Sequence, residues 1–159
     1  MTQSGRRPNS CNKSITMKIF AFAFFLTLSV GVYAQNDREE VANAVTDYVD
    51  AFYFGDTSKI TRSISPAVVK YGYYRKKDET VYNGEPMSFQ EMLDYANNVK
   101  KRNNPNAGKL PKKVEVLDVL DQTASAKLTA WWGNDYILLA KLNGKWMITH
   151  VLWQSPPKK

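Results

Sequence analysis

Four strand-like segments follow one another in residues 114–153, which read VEVLDVLDQTASAKLTAWWGNDYILLAKLNGKWMITHVLW. Each segment is rich in branched and aromatic residues, and the connections are too short for a crossover helix, so consecutive segments must pair as antiparallel neighbours. The sequence therefore predicts a four-stranded antiparallel meander. The predicted strands are Val114–Leu120, Ala124–Trp132, Tyr136–Leu142 and Trp146–Trp153, joined by turns at Asp121-Gln122, Gly133-Asn134 and Asn143-Gly144.

Helical periodicity precedes these strands. A capping box starting at Asp37 predicts the beginning of a first helix, and Gly55 is placed to end it in a left-handed conformation. Asp56 can cap a short second helix, and a capping box starting at Ser88 predicts a third. Between the second and third helices, Val68–Tyr74 has the composition of a strand. The inward residues of the first helix are Val41, Ala44, Val45, Tyr48 and Phe52, and those of the third are Phe89, Met92, Leu93, Ala96 and Val99.

The segment 17–34 has the features of a secretory signal. It reads MKIFAFAFFLTLSVGVYA, with Lys18 before an apolar run that is shorter than the roughly 20 residues needed to span a bilayer. Small residues at its end predict cleavage between Ala34 and Gln35. We therefore expect an exported protein, periplasmic or secreted, whose working part is one domain, residues 35–159.

The leader before the signal, residues 1–16, is polar and has no visible role, and translation can start at Met1 or at Met17. It contains Cys11, the only cysteine of the chain. The mature domain is therefore expected to have neither a disulfide nor a thiol nucleophile.

The charge of the mature domain argues against nucleic acid as a partner. Removing residues 1–34 takes away four of the 22 basic residues and none of the 15 acidic ones, which lowers the net charge from +7 to +3. Nucleic-acid binding normally requires a clustered basic face, and the basic residues around Lys100–Arg102 and Lys109–Lys113 are expected to be a solvated loop. We predict no nucleic-acid partner and no membrane association after cleavage of the signal.

The order of elements indicates an α+β fold with helices packed on one face of a sheet. Three segments, SPAVVKYGYYR, KVEVLDVLDQTASAKLTAW and DYILLAKLNGKWMITHVLW, resemble the bacterial family named Putative lumazine-binding. That family belongs to the nuclear transport factor 2-like (NTF2-like) superfamily, which includes SnoaL-like proteins and ketosteroid isomerase. The resemblance covers residues 39–153. It implies an NTF2-like cone, in which three helices of the N-terminal half pack on a curved, mainly antiparallel β-sheet over a pocket. It also implies homodimerisation through the outer face of the sheet.

His150 is the only histidine of the chain and is a candidate acid, base or ligand contact. The alternative is a half-buried histidine with its hydrogen bonds satisfied. A two-residue turn at Asn143-Gly144 would place Ile137 opposite His150, whereas a three-residue turn with a bulge would place Tyr136 there. We favour the second register, which groups Tyr136, Leu138 and Ala140 with Trp146, Ile148 and His150 on one pocket-like face.

Asp135 and Tyr48 are the other candidate catalytic residues. A carboxylate in a pocket can serve as acid or base, but a residue beside the Gly133-Asn134 turn can also be an ordinary strand end. Ketosteroid isomerase pairs a tyrosine donor with carboxylates, although this sequence does not align a pair of pocket carboxylates. A metal-free isomerase, dehydratase or hydrolase would require Tyr48, Asp135 and His150 to converge on one cavity.

Aromatic residues are abundant, and five of them, Tyr71, Tyr73, Trp131, Trp132 and Trp153, can stack on a flat heterocycle such as a pteridine or flavin, or simply form the core and a dimer interface. Strand alternation predicts that Trp131 and Trp132 face opposite ways. Our leading hypothesis is a domain that binds a small aromatic or heterocyclic molecule without a metal or cofactor. The alternatives are the metal-free enzyme and a protein-interaction module that has no ligand. The predicted ligand-binding residues are Tyr48, Tyr71, Tyr73, Trp132, Tyr136, Trp146 and His150.

Overall fold

The computed structural model describes residues 36–76 and 79–157. The predicted leader 1–16, the signal 17–34, its cleavage site and Cys11 lie outside the described residues. Within the described ranges, no helix combines the length and apolar character that crossing a membrane requires.

Three helices precede the meander, as predicted. They are α1 (36–54), α2 (Thr57–Ser63) and α3 (Phe89–Arg102), and a 3₁₀ turn follows at Ala107–Lys109. The side chains of Asp56 and Ser88 cap α2 and α3, and the capping box between Ser88 and Glu91 is complete. The expected cap at Asp37 is wrong: Asp37 already lies within α1, and its carboxylate accepts bonds from Lys141 Nζ at 2.5 Å and Trp146 Nε1 at 3.0 Å.

Six strands form one sheet in the order β2-β1-β6-β5-β4-β3, antiparallel throughout except for the parallel pair of β1 and β6. The predicted meander is confirmed in β3 to β6. The strand that was expected to start at Val68 starts at Ile64. It can contain Pro66 because the pairing of β1 with β6 is interrupted between Ile64 and Val69. The strands are β1 (Ile64–Tyr74), β2 (Asn83–Pro86), β3 (Lys112–Val119), β4 (Thr123–Ala130), β5 (Gly133–Leu142) and β6 (Lys145–Gln154).

The inner face of the sheet packs against the helices and contains the core. Strand alternation places Leu128, Ile137 and Ile148 on this face, where they are fully buried together with Val45 of α1 and Met92 of α3. Alternate residues point to the outer face, which is open and strongly apolar. Its exposed side chains include Val69, Tyr71, Tyr73, Tyr136, Leu138 and Leu152.

The turn between β4 and β5 is not at Gly133-Asn134. Ala130 pairs with Gly133, so the turn consists of Trp131 and Trp132, and Gly133 already belongs to β5. Glycine at position 133 serves close packing rather than the turn, since a Cβ there would lie 1.9 Å from the Gln154 carbonyl oxygen. The expectation that the two tryptophans face opposite ways is therefore wrong, because they are turn residues and strand alternation does not apply to them.

The connection between β5 and β6 follows neither predicted register along its whole length. The two-residue turn at Asn143-Gly144 pairs Leu139 with Ile148, but an extra residue at Thr149 then pairs His150 with Leu138. This β-bulge reverses the direction of every later side chain of β6. Consequently His150 lies on the outer face, and the pocket-like face that grouped it with Trp146 and Ile148 does not exist.

Candidate ligand-binding site

A cavity of about 380 Å³ lies where α1, α3, β1, β2, β6 and the β4–β5 turn meet. This volume is within the range of small-molecule sites. Buried Phe52 and Lys70 lie at its floor, whereas Glu85, Glu91 and Trp131 are exposed at its rim. The remaining lining residues are Pro86, Met87, Tyr95, Trp132 and Trp153.

Five aromatic rings line this cavity, and neighbouring rings meet edge to face. Phe52 contacts Tyr95 and Trp132 with centroid distances of 5.5 and 6.0 Å, and Trp131 contacts Trp132 at 6.0 Å. The bulge at Thr149 turns Trp153 inward. Gly72 on the neighbouring strand leaves space for its indole, because a Cβ at Gly72 would lie 1.7 Å from Trp153 Nε1. The cavity thus offers π-faces on several sides.

A chain of hydrogen bonds leads from the cavity floor into the core. Lys70 Nζ donates to the Tyr48 hydroxyl at 2.9 Å, and that hydroxyl donates to Asp135 Oδ2 at 2.8 Å. The second carboxylate oxygen, Asp135 Oδ1, accepts from Trp132 Nε1 at 2.7 Å. Tyr48 and Asp135 are fully buried and do not line the cavity. Of the four hydrogen-bonded residues, Lys70 and Trp132 are therefore the two that can contact a molecule in the cavity.

Burial controls the protonation of the same groups. It raises the pKa of the Tyr48 hydroxyl well above its usual value, and the nearby Asp135 charge adds to this effect. It also raises the pKa of the Asp135 carboxyl, although Lys70 and the two hydrogen bonds oppose the shift. Burial lowers the pKa of Lys70 to about 8, with Asp135 acting in the opposite direction. Tyr48 is therefore a neutral donor, and Lys70 can change its charge near neutral pH.

The environment of the Lys70 ammonium is mainly aromatic. Nζ lies 4.6 Å from the centroid of Phe52 and 5.1 Å from that of Tyr48, which are cation–π distances. In the described part of the chain, no carboxylate lies within salt-bridge distance of Lys70. An ammonium group has three donors, and the Tyr48 hydroxyl takes one. Lys70 thus has donors left for an acceptor atom in the cavity.

The predicted catalytic residues do not converge. Tyr48 and Asp135 are hydrogen-bonded to each other, whereas His150 is exposed on the opposite face of the sheet because of the bulge at Thr149. A second hollow, of about 350 Å³, surrounds His150 and Leu138, but apart from the imidazole it has no aromatic ring in its lining. An enzyme that uses Tyr48, Asp135 and His150 together is therefore contradicted by the geometry.

The predicted ligand-binding residues separate into three groups. Trp132 lines the cavity, and Tyr48 lies directly behind Lys70. Trp146 is buried in the core and donates to Asp37, so its expected place in the pocket is wrong. The outward alternation of β1 and β5 and the bulge in β6 exclude the other four from the cavity. These four are Tyr71, Tyr73, Tyr136 and His150.

Lys70 was not predicted from the sequence, because lysine in a strand is ordinarily assigned to the surface. The sequence did contain an indication of its direction. In the strand VVKYGYY, Lys70 points to the same side as Gly72 and to the opposite side from Tyr71 and Tyr73. If the tyrosines face outward, Lys70 must face inward. Phe52 was predicted to be inward but only as core, and Tyr95 was not predicted to line a pocket. Trp131 and Trp153 were considered for stacking on a heterocycle but are absent from the predicted ligand-binding residues.

In residues 36–76 and 79–157, no group of three or more His, Cys, Asp or Glu side chains is arranged to hold a metal ion.

Three helices on a mixed six-stranded sheet define this protein as an NTF2-like α+β domain, and solved structures show the same fold. An NTF2-like protein from Shewanella baltica OS155 is 17% identical, with a TM-score of 0.59 and coverage of 79% of this chain and 98% of its own. One from Methylobacillus flagellatus KT is 20% identical, with a TM-score of 0.57 and coverage of 77% and 94%. Both are described as proteins of unknown function.

The chain belongs to the family named Putative lumazine-binding, whose model matches residues 36–154. The match confirms the family resemblance found in the sequence. No curated protein matches this chain.

Proposed function

We propose that this protein binds a small, flat heterocyclic molecule, of the pteridine class, in the cavity between its helices and sheet. The observation that carries this proposal is the combination of aromatic walls with the buried amine of Lys70. The description of the family supports the same class of ligand. The predicted signal at 17–34 supports binding after export, and N-terminal sequencing of the processed protein, expected to begin at Gln35, checks that part.

The chemistry of the cavity suits a pteridine-dione. The indole rings of Trp132 and Trp153 offer faces and edges to a planar ring. Lys70 can donate to a ring carbonyl or to its anionic form, and the carboxylate of Glu85 at the rim can accept from a ring N–H. Few convergent polar groups in an otherwise apolar cavity are typical of sites that fix the orientation of a ligand.

Thermal-shift measurements with lumazine, pterin and riboflavin test this proposal. A ligand at 100 times its Kd is expected to stabilise the protein by about 2.7 kcal/mol. Lys70→Met removes a charge-assisted hydrogen bond worth about 1.5–3 kcal/mol, so it should weaken binding about 10- to 100-fold. Lys145→Met is the matched control, since Lys145 is exposed at the β5–β6 turn and should leave the affinity unchanged. Absence of a shift with every flat heterocycle, or equal affinity in K70M, would contradict the proposal.

We also propose that the outer face of the sheet binds a second copy of the chain. Two cross-strand rows cover it: Val69, His150 and Leu138 in one, and Tyr71, Leu152 and Tyr136 in the other. All five apolar members of these rows are exposed. Because contiguous exposed apolar surface normally marks an interface, this face is a candidate contact surface. A two-fold axis would bring this face against itself, as in most homodimers. The resemblance to NTF2-like proteins supports the same arrangement.

Leu138→Lys is expected to convert the dimer to a monomer, because it places two charges near the centre of the interface. Light scattering coupled to gel filtration measures the mass. Phe54→Lys is the control, since Phe54 is equally exposed but lies at the end of α1, on the helix side of the sheet. A wild-type protein that elutes as a monomer at high concentration would refute this second proposal without affecting the first.

A further inference from the structure

Lys70 combines burial with access to the cavity. The residue is only 8% exposed, yet it is among the side chains that line the cavity floor. Lys59, Lys112 and Lys141 form ion pairs with carboxylates, whereas Lys70 contacts a hydroxyl and two aromatic rings.

A desolvated lysine is a nucleophile. With a pKa of about 8, about a tenth of the Lys70 side chains are neutral amines at pH 7, against about one in 3,000 for an exposed lysine. Burial of the amine beside apolar rings is one of the recognised ways in which proteins activate lysine toward carbonyl compounds. The aromatic walls would hold such a compound next to Nζ.

We propose that the Lys70 amine forms a reversible imine with an aldehyde or ketone group carried by a flat molecule in the cavity. This inference rests on the proposed function and goes beyond it, because the ring carbonyls of a pteridine-dione are lactams that accept hydrogen bonds but do not form imines. It assigns a class of substrate, aromatic and heterocyclic aldehydes and ketones, to the same cavity.

The hydrogen-bond chain behind Lys70 balances the protons of this reaction. The Lys70 ammonium passes a proton to the Tyr48 oxygen as the Tyr48 hydroxyl proton moves to Asp135, which leaves a neutral amine. The amine lone pair forms a C–N bond to the carbonyl carbon, and a proton moves from nitrogen to oxygen, giving a carbinolamine. The proton held by Asp135 then returns through Tyr48 to the carbinolamine nitrogen and moves from there to the hydroxyl, which leaves as water and gives a protonated imine. No oxidant or reductant takes part.

Reductive trapping with 6-formylpterin and cyanoborohydride tests the inference in the intact protein. Mass spectrometry of the digested protein should show one adduct, on Lys70, whose rate of formation increases as the pH rises through about 8. Lys70→Arg keeps the positive charge and should abolish this adduct, whereas Lys145→Arg should leave it unchanged. Adducts spread over exposed lysines, with Lys70 among the least modified, would overturn the inference.

Two further measurements keep the test decisive if K70R fails to fold. Tyr48→Phe retains Lys70 but removes the proton relay, and it should slow trapping about 100-fold even at 6-formylpterin concentrations that saturate the cavity. Excess lumazine should protect Lys70 in the wild-type protein. Lumazine binding without a Lys70 adduct would refute the imine alone, whereas a Lys70 adduct without lumazine binding would refute a pteridine-dione as the ligand and leave the imine standing. Unchanged trapping in Y48F would refute the relay.

Discussion

Replacing Asp135 with alanine is expected to lower the free energy of unfolding by about 3–5 kcal/mol. The carboxylate is fully buried and accepts bonds from Tyr48 and Trp132. Its negative charge also raises the pKa of Lys70, against the lowering effect of burial. Its removal leaves a buried hydroxyl without an acceptor, a buried ammonium without a compensating charge, and a void in a packed core. Urea denaturation of D135A measures the loss.

Asp94→Ala is the matched control for this prediction. Asp94 is exposed on α3, and within residues 36–76 and 79–157 its side chain bonds only to Gln90, so its replacement should change stability by less than about 0.5 kcal/mol. Asp135→Asn retains the volume and one acceptor oxygen, and we expect a smaller loss of about 1–3 kcal/mol. Equal stability of D135A and D94A would show that the hydrogen-bond chain does not hold the floor of the cavity in place.

The pH dependence of stability tests the electrostatic part of the same prediction. Lys70 has a pKa of about 8 in the folded protein and of about 10.5 in the unfolded chain, so the unfolded state binds more protons between these values. Stability should therefore rise with pH from about 8 to 10, by up to about 3 kcal/mol. In D135N the lost attraction lowers the pKa of Lys70 further, so the rise should begin at a lower pH. In K70M it should disappear.

Replacing Gly55 with alanine is expected to lower the free energy of unfolding by about 2–5 kcal/mol, for two independent reasons. Gly55 ends α1 with φ at +73°, a conformation that costs other residues about 1–2 kcal/mol. In addition, a Cβ there would lie 2.3 Å from the backbone nitrogen of Lys100 and 2.6 Å from the Ala96 carbonyl oxygen. Both belong to the backbone of α3, so relief requires the two helices to separate, at a further cost of about 1–3 kcal/mol.

Gly144→Ala separates these two contributions. Gly144 has a similar φ of +77°, but a Cβ at this position would have no neighbouring atom within 4 Å, so the variant should show the conformational cost alone, about 1 kcal/mol. Thermal or urea unfolding of the two variants under the same conditions gives the difference. Because α3 carries Glu91 and Tyr95 of the cavity, G55A should also weaken ligand binding, whereas G144A should not. Equal losses in both variants would contradict a close contact between α1 and α3.

Local patterns were sufficient for the framework of this protein. The apolar spacing of α1, the capping box at Ser88, the glycine at position 55 and the alternation of β3 to β6 each depend on residues within a few positions of one another. Such interactions leave a direct trace in sequence, which is why the α+β class, the meander and the family could be recognised before the structure was known.

The candidate site depended on contacts that sequence spacing does not record. The β4–β5 turn consists of the two tryptophans and not of Gly133-Asn134, because Gly133 lies in β5 and packs closely against Gln154. One extra residue at Thr149 places His150 on the outer face and Trp153 on the inner face. A bulge has no composition of its own, so its position could not be read from the β6 sequence.

Local periodicity, caps and short turns establish which segments become helices and strands and how successive strands pair. The burial of Lys70 follows only from long-range contacts, because its surroundings come from Tyr48, 22 positions away, and Tyr48 in turn bonds to Asp135, 87 positions away. The pKa of the Lys70 amine is lowered because distant elements exclude water from it. That exclusion makes the cavity chemically distinct from an ordinary apolar core.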